Sequence, residues 1–205
     1  MIRRRTALSA AAGLLAATPL LTACGSTPHP GAAAVVGDDR ITVAQLQSQV
    51  KDVRDAQESS PQGEQLTANS ARLSQDTLIR LVQYRIIEKA GQDNGVDVTR
   101  RELQDERSQV ERANGGAEAV RARFLALGIA PSQIDQALAM DLVRTKLDGK
   151  LGAARTNDVL MKTSQALRVD INPRYGAWDA KRGTARPLQE PWLRPVAPPA
   201  AESPV

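Results

Sequence analysis

Cys24 carries the only thiol of the 205-residue chain and His29 its only imidazole, so the chemistry open to this sequence is narrow from the start. A single cysteine forms no internal disulfide. His29 sits in the small, polar, Pro-containing stretch Gly25-Ser26-Thr27-Pro28-His29-Pro30-Gly31, outside any segment that can pack. No Ser-His-Asp or Cys-His pair can therefore be built inside a folded domain, and no His/Cys zinc cluster either. Asp and Glu are plentiful, but they are dispersed along amphipathic segments, where they read as solvated helix faces rather than as a tuned acid/base pair. Neither a GxxxxGK[ST] nor a GxGxxG phosphate loop occurs. No catalytic residue, no metal ligand and no dissociable cofactor is nominated, and an enzyme is not expected.

The chemistry that remains is at Cys24 itself. Arg3, Arg4 and Arg5 precede a short apolar run from Ala7 to Leu20, and small Ala23 stands just before the cysteine. This is the charged, apolar and small-residue order of an export signal. Interrupted by Pro19, the run falls short of the roughly 20 apolar residues a membrane-spanning helix needs. Leu21-Thr22-Ala23-Cys24 resembles the L-[AST]-[GA]-C lipobox of bacterial lipoproteins. That resemblance implies a diacylglycerol on the Cys24 sulfur, cleavage between Ala23 and Cys24, and a mature protein tethered to the extracytoplasmic face of the cell membrane. Two acyl chains at about 0.8 kcal/mol per buried methylene anchor stably where one chain does not. An ordinary export signal with an incidental cysteine is the competing reading, and Arg4-Arg5 leaves both the general and the twin-arginine export routes open.

Export changes the meaning of the charge. The chain has 27 Lys plus Arg against 23 Asp plus Glu, and loss of the three signal arginines leaves the remainder close to neutral. With Tyr84, Phe124, Tyr175, Trp178 and Trp192 as its only aromatic residues and no basic run after the signal, the chain lacks the means to stack bases or follow phosphates. Nucleic acid is excluded as a partner.

The periodicity that must position any binding surface begins at Ala32. Ala33 to Val36, the turn Gly37-Asp38-Asp39, and Arg40-Ile41 read as strand, turn and strand. Thr42 with Gln45 forms a capping box for a helix whose apolar positions are Val43, Leu46, Val50 and Val53. A polar loop is expected over 58–63. The next helix, 69–92, carries Leu73, Leu78, Ile79, Leu81, Val82, Tyr84, Ile86, Ile87 and Ala90 around most of its circumference, as in a helix buried on most sides or facing a partner. Asn94-Gly95 stops it. Thr99 and Glu102 form a second capping box for a charged helix reaching about residue 113. Further helices are expected over 117–127 and 132–151, and a last one capped by Thr156; Arg168-Val169-Asp170-Ile171 then alternates as a strand. From Pro187 onward the prolines at 187, 191, 195, 198, 199 and 204 suggest an unstructured tail, and Trp192 within it is either a docking anchor or an incidental aromatic.

Several phrases in this order resemble the N-terminal chaperone module of the SurA/PrsA group of extracytoplasmic folding factors. They are Ala34-Val35-Val36-Gly37-Asp38-Asp39-Arg40-Ile41-Thr42; Leu78-Ile79 through Glu88-Lys89-Ala90; Gly95-Val96-Asp97-Val98-Thr99 with Glu102; Gly128-Ile129 before a long helix; and Asn172-Pro173-Arg174-Tyr175-Gly176-Ala177-Trp178. The likeness spans about 32–179, with Gly37 where the group usually has Asn. Full-length relatives carry a parvulin-type prolyl isomerase domain whose site uses histidines. Here only Gly152 to Arg155 separates the two last expected helices, so isomerase activity is expected to be absent.

The resemblance implies a mainly α fold: about six helices in a SurA-N-like cradle, closed by a small strand pair in which Val35-Val36 meets Val169-Ile171. The expected organisation is a lipoprotein signal over 1–23, a tether over 24–31, a helical domain over 32–182 and a Pro-rich tail over 183–205. It further implies a groove that holds unfolded or partly folded exported proteins by apolar contacts, with Val82, Ile86, Phe124, Leu138 and Leu142 as candidate client-binding residues. Ordinary core is the commoner reading for any one of these residues. Two functions stay open: a tethered, isomerase-less chaperone, or a scaffold lipoprotein that binds one specific envelope protein.

Overall fold

The computed structural model describes residues 31–68 and 70–186. Cys24, His29 and Trp192 lie outside the described residues, as do the signal and most of the tether and the Pro-rich tail.

The chain enters through β1 (Ala32–Val36), turns, and returns as β2 (Asp39–Thr42). Gly37 has φ +61°, the left-handed geometry that a two-residue hairpin turn needs, and a side chain there would press on Leu167. Gly therefore suits this turn in place of the Asn usual in the resembling group. β1 is the centre of a three-stranded antiparallel sheet in the order β2-β1-β3, where β3 is Asp170–Ile171. Ala34 opposes Ile171 and Val35 opposes Asp170. The two ends of the domain do close on one another. The closing strand is shorter than expected, because Arg168 takes a left-handed φ of +44° just after the last helix and delays the extended backbone.

Seven helices connect these ends: α1 (Val43–Glu58), α2 (Gly63–Ala68), α3 (Leu73–Asp93), α4 (Arg100–Ala113), α5 (Ala117–Ala126), α6 (Ile134–Leu151) and α7 (Ala153–Ala166). Both expected capping boxes form. Thr42 N–H donates to Gln45 Oε1 at 2.8 Å and Gln45 N–H to Thr42 Oγ1 at 3.0 Å. Thr99 N–H donates to Glu102 Oε2 at 2.8 Å and Glu102 N–H to Thr99 Oγ1 at 3.2 Å. Thr156 does not cap α7. The break comes one turn earlier at Gly152, whose φ of +83° ends α6, and the buried Thr156 hydroxyl donates back to the Gly152 carbonyl at 3.1 Å. α2 was not expected, and it displaces the start of α3 from residue 69 to Leu73.

A second sheet extends the fold past the expected boundary at residue 182. β4 (Ala177–Asp179) pairs antiparallel with β5 (Thr184–Arg186). Trp178 Nε1–H donates to Ser164 Oγ at 2.9 Å and Gln83 Nε2–H to the Gly183 carbonyl at 2.7 Å, which fastens the hairpin to α7 and α3.

α3 is the central helix. It packs on β1, α1, α6 and α7, with Leu73, Thr77, Leu78, Val82, Ile86, Ala90 and Gly91 buried and Ile79, Leu81 and Ile87 partly so. Around it the apolar side chains gather in three clusters: the main one under the β2-β1-β3 sheet, α1 and α3; one between α3 and α6 around Ala90, Val143 and Leu147; and one between α4, α5 and α6 around Ile129, Ile134 and Leu138. Among the described residues no helix is long and apolar enough to cross a membrane.

Candidate polypeptide-binding grooves

An open groove of about 1140 Å³ lies between α1, the start of α3 and the turn Pro173–Tyr175. On α1 the residues facing it recur at Leu46, Val50, Arg54 and Glu58, with Lys51 and Asp55 beside them, as one helical face. Leu46 and Val50 form a buried floor that also belongs to the main core, and half-buried Tyr175 forms an apolar wall. The turn opposite is held by Asn172. Its backbone N–H donates to the Ala33 carbonyl at 2.9 Å, its side-chain amide donates to the Ala32 carbonyl at 3.2 Å, and its Oδ1 accepts the Arg174 N–H at 3.0 Å. Gln75 Nε2–H donates to the Tyr175 carbonyl at 3.0 Å and so ties α3 to the same turn.

Charge lies on the rim. Lys51 pairs with Asp55, whose hydrogen bond and charge raise the ammonium above its ordinary range. Arg54, Arg72 and Arg174 add positive charge, with Glu58 the remaining acid. A half-buried aromatic wall and a polar, mostly basic rim suit an extended polypeptide, whose backbone needs hydrogen-bonding partners while a side chain seeks apolar contact.

Two smaller concavities flank the core. One of about 380 Å³ lies between α3, α6, α7 and the β4–β5 turn, with Ile86, Ile87, Leu160 and Met161 as its apolar lining. The other, about 530 Å³, lies beneath α2 and is bounded by Gln57, Leu66, Leu73, Arg80 and Leu127. Leu127 is 64% exposed and is the one large apolar side chain among the described residues left that open. Burial pushes the Arg80 guanidinium down from its ordinary value, and its Nη2–H donates to the Gly128 carbonyl at 2.6 Å.

The five residues nominated from the sequence do not meet in one groove. Val82 (0% exposed), Ile86 (5%) and Leu138 (4%) are buried. Val82 and Ile86 pack in the main cluster, Ile86 also edging the α3–α6–α7 concavity, while Leu138 packs in the α4–α5–α6 cluster. Phe124 is half-buried against that last cluster and Leu142 is half-buried on α6. The α1–α3 groove was missed because its walls are 100 residues apart at the Gln75–Tyr175 contact, and Leu46 and Val50 look like any core stripe.

Away from the grooves, two ion pairs tie α4 to α6, Arg107 with Asp135 and Glu102 with Lys146. Lys146 Nζ donates to Glu102 Oε1 at 2.6 Å, and with the Thr99 cap it holds the Glu102 carboxyl down at about 2. Among the described residues no group of His, Cys, Asp and Glu is arranged to hold a metal ion.

The chain matches the family model of the SurA-like N-terminal domain over residues 2–148, and it belongs to that family. The match runs through α1 to most of α6, leaving α7 and the closing strands outside it. Neither a curated protein nor a solved structure matched the chain.

Proposed function

We propose that this protein is a lipid-tethered, extracytoplasmic chaperone that holds unfolded or partly folded exported polypeptides and does not isomerise prolyl bonds. The observation that carries the reading is the α1–α3 groove, in a chain belonging to a chaperone-type family. Half-buried Tyr175 offers apolar contact to a side chain, and the polar rim offers partners to a passing backbone, which gives weak binding with little sequence preference. The lipobox around Cys24 supports the tether. The absence of any histidine after His29 supports a non-catalytic role, as does the single residue, Gly152, between α6 and α7, which leaves no inserted domain at that point.

Crosslinking of the anchored protein in its own membrane followed by capture tests the reading. Many unrelated unfolded partners are expected; one stoichiometric partner would replace the chaperone with a scaffold lipoprotein. Labelling with a fatty-acid analogue tests the anchor: label is expected on the wild type and lost in Cys24→Ser, and equal label on both would remove the tether.

A further inference from the structure

Gln57, near the end of α1, is 4% exposed, and its Oε1 is buried with no hydrogen-bond partner among the described residues. A buried acceptor left unpaired has lost its water and gained nothing in exchange. Gln57 lines the concavity of about 530 Å³ beneath α2, a volume within the range of about 300–1,000 Å³ typical of ligand pockets. Leu127, 64% exposed, lines the same concavity. Its exposure is not that of a loose loop end. Arg80 donates from Nη1 to the Leu127 carbonyl at 3.3 Å and from Nη2 to the Gly128 carbonyl at 2.6 Å, which pins the turn that closes α5. An unsatisfied acceptor and an open apolar side chain thus border one pocket, with half-buried Leu66 of α2 beside them.

We propose that this pocket is a second polypeptide-binding site, and that its occupant is an uncharged apolar segment in extended form. One backbone N–H of the segment donates to Gln57 Oε1, and the side chain next to it packs between Leu127 and Leu66. The lining selects this occupant. Asp76 and Arg80 are its ionisable groups and cancel in charge, so neither an acidic nor a basic segment is favoured. The α1–α3 groove differs, with Lys51, Arg54, Arg72 and Arg174 against Asp55 and Glu58. A purely apolar molecule would leave Oε1 unpaired, whereas a polypeptide brings a donor beside every side chain. Entry requires only α2 to give way. None of its 6 residues is buried, so lifting it exposes little apolar surface, while Gln57 and Leu127 stay in place on α1 and at the end of α5. The inference rests on the polypeptide-binding reading of this chain but not on the α1–α3 groove.

The test titrates the lipid-free chain 25–205, labelled with nitrogen-15, with an acetylated and amidated peptide of sequence Ser-Gly-Leu-Val-Leu-Gly-Ser, and reads the dissociation constant from amide shifts. Leu127→Ser, at an exposed position, is expected to weaken binding about tenfold with the fold unchanged. Gln57→Met is expected to weaken it to a similar degree, yet to leave the urea midpoint no lower, because the variant removes a buried acceptor that had nothing to bond. A set of peptides methylated in turn at each central backbone nitrogen then isolates the bond. One of them is expected to lose about tenfold on the wild type and almost nothing further on Gln57→Met. A peptide that does not bind would overturn the proposal, as would methylation that costs the same on both proteins, or amide shifts caused by pairing of two copies of the chain through Leu127. Binding that ignores Leu127→Ser but is lost in Arg54→Glu combined with Arg174→Glu would place the peptide in the α1–α3 groove, so that the second site falls and the chaperone reading stands. If the peptide binds as expected but the chain does not slow aggregation of a denatured protein, the site stands and the chaperone reading does not.

Discussion

Leu138 illustrates what a single residue discloses in a sequence and what it withholds. Helical spacing marks it as apolar and inward, but an inward face is a core or a groove according to what other elements lie over it. α4 and α5 cover it, and it is 4% exposed. Leu138→Ala is accordingly expected to cost about 2–5 kcal/mol of stability, as cavity-forming substitutions do, measured by urea unfolding. A change of only about 0.5 kcal/mol, as surface substitutions give, would mean the side chain faces solvent. Glu102 is the opposite case, since its cap role was legible from Thr99 three residues before it, while its bond to Lys146 was not. Its folded carboxyl lies at about 2 against an ordinary 4.5, so its contribution is complete above the ordinary value and is lost as pH falls toward the folded one. Between pH 4.5 and 2 the urea midpoint of the wild type should therefore fall more steeply than that of Glu102→Gln. Parallel curves would show that the Lys146 bond does not hold α4 to α6.

At the scale of elements, local signals decided what was readable. The capping boxes at Thr42 and Thr99 are three-residue patterns and formed as read. α2 buries none of its residues, so Gly63-Glu64-Gln65-Leu66-Thr67-Ala68 shows no apolar period to detect. The β4–β5 hairpin is short and held by partners far off in the chain, Ser164 and Gln83, which no window of sequence contains. The closing strand was legible as an element, and its pairing with β1 came from the family resemblance. Removing everything after Leu167 should then do more than trim a tail. It takes away buried Ile171 and Ala185, the ladder to β1 and the Trp178 bond, whereas truncation after Arg186 leaves all of these in place. A thermal melt is expected to show a large loss for the first truncation and little for the second, and equal melts would contradict closure by the chain ends.

For the whole molecule, the sequence carried the family but not the groove. Membership followed from phrases kept in order along the chain; the concavity follows from α1, α3 and the Pro173–Tyr175 turn being brought together by Asn172 and Gln75. A small domain with three separate apolar clusters leaves open seams between its helices, and the seam between α1 and α3 has the mixed lining that an extended chain requires. The account's central claim is that this seam holds unfolded chains. Light scattering by a denatured model protein, with the lipid-free chain 25–205 added, tests that claim most directly. Slowed aggregation is expected, with no acceleration of cis/trans exchange in a prolyl peptide under the same conditions. Aggregation that proceeds unchanged at several-fold molar excess, while circular dichroism shows the domain still folded, would contradict it.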